Sequence, residues 1–200
     1  MSPSVTSLPS AHDAELSLSV ERAYREALVT DCLGTIWSLI AAKCFLAQWA
    51  IDQYAIPVRG LFFVWTLTLV MAVMASLYYL HAHRVKLYLL PTHFRVNTAL
   101  LAGLAVALSF ITYAHFALGL LAAPMAAALA CVLLGSWSLA RAALRRCWEP
   151  FLGALLWWGF AGTALRAPAD QSMLWLGCGF LFGQALPGLS VASRTASRRV

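Results

Sequence analysis

From residue 32 onward the chain is a series of long apolar runs parted by short polar or basic segments, and the length of those runs decides the architecture. Residues 61–80, LFFVWTLTLVMAVMASLYYL, hold no charged side chain. A membrane-crossing strand would alternate over about ten residues. Here the apolar character is continuous over about twenty, the length a helix needs to cross a hydrocarbon core of roughly 30 Å. Open sheets are excluded, because their edge amides would find no partner in lipid. The pattern predicts an all-α integral membrane protein.

Span limits follow from charges and breakers. The first run covers 32–51 and the second 61–80, and the basic segment HAHRVKLYLLPTHFRVN comes next. Between Asn97 and Ala140 His115 is the one residue that can carry a charge. That stretch is about twice too long for one crossing, so it must fold back, and Gly119 and Pro124 mark the turn. The third and fourth spans are placed at 97–118 and 122–140. A short fifth span follows at 150–165, opened by Pro150, whose missing N–H costs nothing in a first helical turn. The sixth is 173–192. The prediction is a six-helix transmembrane bundle, 32–192, between a Ser- and Pro-rich tail (1–12), read as disordered and not as a signal peptide, and a basic tail (193–200).

Residues 13–31 differ. Val20, Ala23, Tyr24, Ala27 and Leu28 recur on one helical face, and Glu21, Arg22, Arg25 and Glu26 on the other, with charges paired one turn apart. This predicts an amphipathic interfacial helix before the first span.

Composition agrees with this picture and charge orients it. Of 200 residues, 62% are hydrophobic and 11% charged, and the mean hydropathy is +0.76. Soluble domains carry about a quarter charged residues. Arg22, Arg25, Arg84, Lys86, Arg95, Arg141, Arg145, Arg146, Arg194, Arg198 and Arg199 fall on one side of the predicted bundle, against Arg59 and Arg166 on the other. By the positive-inside rule both termini are cytoplasmic, in a cell (inner or plasma) membrane. The net charge of +6 is then explained by anionic phospholipid head groups, which Arg84, Lys86, Arg95, Arg141, Arg145 and Arg146 would contact, and not by nucleic acid. Five cysteines without a CxxC pair argue against a disulfide framework.

Lipid supplies no hydrophobic drive between helices, so close packing uses small residues. Ala99, Gly103 and Ala107 on the third span, with Ala123, Ala127, Cys131 and Gly135 on the fourth, predict a tight hairpin between their small faces. Gly179 and Gly183 make a GxxxG step on the sixth span. Such steps join protomers or pack within one chain, and six helices must first pack among themselves, which favours the second. A homo-oligomer is the other outcome.

One residue breaks the apolar pattern. Lys43 lies midway between Trp37 and Trp49, near the bilayer centre. A charge there costs about 2.5–3.5 kcal/mol on insertion scales and tends to face a cavity or a partner. No span holds an Asp or Glu. The neutral candidates are Gln184, Gln48, Tyr113 and His115, with the carbonyl of Gly183, which Pro187 four residues on removes from the helix ladder. The sharp expectation is a small polar cavity around Lys43, as broken helices form in transporters. The bland one is a lysine satisfied by Gln184 or a carbonyl, or deprotonated by desolvation, with no ligand.

Catalytic chemistry finds no footing. There is no paired carboxylate, HExxH, GxSxG or phosphate-cradling loop, and His81, His83 and His93 lack a completing ligand. No metal or cofactor is expected. The favoured function is a small transporter or channel-like component around Lys43. The alternative is a non-catalytic accessory or assembly subunit that binds a protein partner, and a lipid-modifying enzyme ranks below both.

Overall fold

In the computed structural model of the chain, which describes residues 11–57, 61–82, 92–145 and 148–197, α1 runs unbroken from Ala11 to Gln53. It takes in both the amphipathic segment and the first apolar run. At 1.5 Å per residue its 43 residues reach about 65 Å, roughly twice a hydrocarbon core. The other helices are α2 (Leu61–Ala82), α3 (Thr92–Phe116), α4 (Ala123–Arg145) and α5 (Glu149–Arg166). A last contiguous rod holds α6 (Ser172–Cys178), a π-helical turn (Gly179–Ala185) and α7 (Leu186–Ser197). There is no strand among the described residues.

Among the described residues four segments are long and apolar enough to cross a membrane: Cys32–Gln53, Ala99–Phe116, Ala123–Leu144 and Ala169–Ser190. Trp65–Tyr78 of α2 is a shorter apolar stretch. Helix α5 has 18 residues and begins and ends on charged ones, Glu149 and Arg166.

Local chemistry explains the helix ends. Between α3 and α4, Gly119 takes φ +62°, a left-handed conformation that glycine adopts without strain. It turns the chain so that Leu120 N–H donates to the Ala114 carbonyl at 2.9 Å. Pro150 stands in the first turn of α5, and the helix stops before Pro168, with Ala167 extended (φ −77°, ψ 152°), as a residue preceding proline prefers.

The packing corrects one expectation. Ala99 and Gly103 do not face α4: both are exposed, and a Cβ on Gly103 would meet nothing within 4 Å. Leu104 and Leu108 make the α3 contact with the core instead. The small face of α4 is used, but its main partner is α5. Cys131 is fully buried, and Gly135 lies under Trp158, whose indole Nε1 would come within 2.6 Å of a Cβ there. Shape decides here. A large ring inserted over glycine gains more dispersion contact than two small faces can.

The last rod lies between α1 and α5, and its glycines record both contacts. Gly177 receives Leu46 and Gly188 receives Thr35, both from α1. Gly179 and Gly183 receive the ring of Trp157 from α5, so this GxxxG step is filled within the chain. Phe45 stacks on Phe180 at 5.6 Å and 7° between planes. Helix α2 sits outside α1, joined by Trp37 Nε1 donating to Ser76 Oγ at 2.9 Å and by the edge-on pair Phe45–Trp65.

Candidate functional site

The π-helical turn follows from Pro187. Proline has no N–H to donate, and in an α-helix its ring would strike the carbonyl four residues back, that of Gly183. Widening the turn relieves that clash, and Leu186 N–H accordingly donates to Leu181, five residues back. The Gly183 carbonyl is not open to a ligand. It lies so close to Gly153 that a Cβ on that residue would collide with it.

Beside this turn, Gln184 meets Ser38 of α1. Ser38 Oγ is 2.7 Å from the Gly34 carbonyl oxygen and 3.0 Å from Oε1 of Gln184. One hydroxyl proton cannot serve two acceptors. The pair closes when the amide is turned, so that Gln184 donates to Ser38 Oγ and Ser38 donates to Gly34, a choice that only the hydrogen-bond network decides. The amide atom turned away from Ser38, Nε2 in the recorded orientation, is buried with no hydrogen-bond partner among the described residues. Ser38→Ala is expected to cost about 1 kcal/mol, because it leaves the whole amide orphaned, whereas the double variant S38A/Q184L costs less. Unfolding in mixed micelles by SDS titration measures both.

Lys43 is elsewhere. It is exposed, in one stripe with Ile36, Leu39 and Ala47, while Ala42 beside it is buried. Five residues separate it from Ser38, which is roughly 140° around the helix. Lys43 therefore points away from the seam, and the structure brings Gln184 to Ser38 instead.

The remaining candidates are spread out. Gln48 Nε2 donates to the Asp52 carboxylate at 2.9 and 3.1 Å. Tyr113 is exposed and, with Ala105, Val106, Ser109 and Phe110, lines an open groove of about 370 Å³ on α3. The groove is apolar in character, because the Ser109 hydroxyl is spent on its own Ala105 carbonyl at 2.8 Å. His115 Nδ1 lies 2.7 Å from the Leu121 carbonyl oxygen. That contact places the proton on Nδ1 and makes His115 the clasp of the α3–α4 turn. Among the basic residues, Arg141 sits over the Trp137 ring at 4.7 Å, a cation–π arrangement. Arg84, Lys86 and Arg146 lie outside the described residues, as do the side chains of Arg95 and Arg145. Among the described residues no three His, Cys, Asp or Glu side chains gather to hold a metal ion.

Sequence reasoning missed Ser38 as a residue that holds the seam. A signal existed for it: Thr35, Ser38 and Ala42 are small and share one helical face, the mark of a packed surface in lipid.

No family model, curated protein or solved structure matches this chain. The class that the fold defines, over the described residues, is an all-helical protein with four helices able, by length and composition, to cross a membrane.

Proposed function

We propose that the chain is a multi-pass inner-membrane protein that acts as a non-catalytic accessory or assembly subunit, holding a partner protein against the outward face of α1. The observation that carries this reading is the position of Lys43, exposed among Ile36, Leu39 and Ala47. A transport component built around that lysine would need it on the seam side, with Thr35 and Ser38. An outward lysine at mid-span is costly in lipid alone and becomes favourable against a partner. The length of α1 adds support, since about half of it extends beyond a hydrocarbon core and offers the partner a second contact. Six spans with both termini cytoplasmic, and anionic lipid at the inner face, remain part of the proposal. They are supported by the one-sided distribution of Lys and Arg.

Photo-crosslinking residues placed at Leu39 and Ala47, in membranes of cells that make the chain natively, test this. Discrete protein adducts from both positions, with none from exposed Met74 on α2, are expected. Lipid adducts alone would reject the reading.

A further inference from the structure

We propose that the outward stripe of α1 binds a transmembrane helix of a different protein that carries an aspartate or glutamate at mid-bilayer depth, ion-paired with Lys43. The inference rests on the accessory reading above and adds the chemistry of the partner.

Depth comes first. In the membrane-type segment Cys32–Gln53, Lys43 is about 15 Å from either end. A lysine side chain extends roughly 6 Å, so snorkelling to a head-group phosphate falls short on both sides. A charged Lys43 must be met at its own depth.

The chain cannot meet it. The apolar spans of this sequence contain no Asp or Glu. Asp52, the next acid outward, is about 13 Å further along the helix and already accepts from Gln48. Gln184, the amide nearest to it in expected depth, is engaged with Ser38 on the other side of α1. A second copy fails for the same reason. It brings no carboxylate to mid-depth, and a two-fold pair of these faces would set Lys43 against Lys43, a like-charge contact that is repulsive in low dielectric.

A helix from another protein with one central acid satisfies every term. The carboxylate neutralises the ammonium where the dielectric is lowest. Ala47 leaves room for a close backbone approach, and Ile36 and Leu39 supply the apolar flank. Charge complementarity then selects the partner, because a helix without the acid leaves the lysine unpaired.

The test uses three single-span peptides, Leu/Ala-rich helices of about 20 residues with Asp, Leu or Lys at the centre. Each is reconstituted with the full-length chain in phosphatidylcholine vesicles, and association is read by energy transfer between terminal labels. The Asp peptide is expected to bind the wild-type chain about tenfold more tightly than the Leu peptide. Lys43→Met, a substitution that lipid tolerates, should erase that preference. Lys43→Asp should transfer it to the Lys peptide.

Equal binding of the Asp and Leu peptides to the wild-type chain overturns the inference, as does a preference that survives Lys43→Met. The two readings fail separately. Protein adducts from Leu39 and Ala47 with no Asp preference keep the accessory role and remove the carboxylate. An Asp preference without any protein adduct supports the ion pair and removes the accessory role.

Discussion

Replacing Gly153 by alanine is expected to open the seam between α5 and the last rod, while Gly162→Ala on the same helix leaves the protein intact. The two changes add the same methyl group to one helix, so propensity and composition cannot separate them. Surroundings do. A Cβ on Gly153 would collide with the Gly183 carbonyl, and a Cβ on Gly162 meets nothing within 4 Å. The obstacle at Gly153 is backbone, not the movable end of a side chain. It is held by the π-helical turn, and Pro187 stands directly behind it, with Cγ 3.7 Å from the same Cβ position. Relief therefore requires the whole rod to move off α5. The expected loss is about 3 kcal/mol, the upper end of overpacking penalties. SDS titration in mixed micelles reads it directly. A Gly153→Ala variant as stable as the Gly162→Ala variant would mean that the carbonyl and Gly153 are not in contact.

This seam was only partly legible in the residue pattern, and the reason is physical. The existence of helices was legible because an uncharged run from Asn97 to Ala140 can neither cross once nor remain outside lipid. The turn at Gly119 and the start of α5 at Pro150 were legible because glycine and proline act locally. Rotation about each helix axis was not. In a soluble helix the polar face announces which side is outward. The membrane part of α1 carries large apolar residues on both sides, with Ile36 and Leu39 outward and Leu46 inward, so hydrophobicity does not tell the two sides apart. The small face of Thr35, Ser38 and Ala42 could have marked the inside and Lys43 the outside, but intramembrane charge is ordinarily read as marking the inside.

The π-helical turn compounds the difficulty. One extra residue in a helical turn shifts every later side chain by roughly 100°. Gln184 stands within that turn, and its partner is Ser38, not Lys43. The small stripe Ala99–Gly103–Ala107 misled for a related reason. Small residues permit close approach without requiring it, and the bulk that filled a small face of α4 came from the rings of α5.

Among those rings Trp157 makes the contact on which the rest depends. It is fully buried. Its six-membered ring lies over Gly179 and its pyrrole edge over Gly183, and it meets Phe180 edge-on at 5.1 Å. Trp157→Ala is expected to destabilise the protein by about 3 kcal/mol or more. In lipid the transfer part of that cost shrinks, because the bilayer is as apolar as the core. The lost dispersion contacts and the unfilled glycine surface remain. Trp157→Phe should behave differently. Among the described residues the indole N–H has no partner, so removing it sacrifices no hydrogen bond to them, while a benzene ring still covers the Gly183 part of the GxxxG step. A loss within about 1.5 kcal/mol is expected there. Trp158→Ala, one residue along and 37% exposed, should fall below the Trp157→Ala loss, because its face toward lipid has no protein contact to give up. The order Trp157→Ala, then Trp158→Ala and Trp157→Phe, follows from ring packing alone. A Trp157→Phe loss as large as that of Trp157→Ala would show that the indole N–H, through a water or a carbonyl of the widened turn, carries the seam instead.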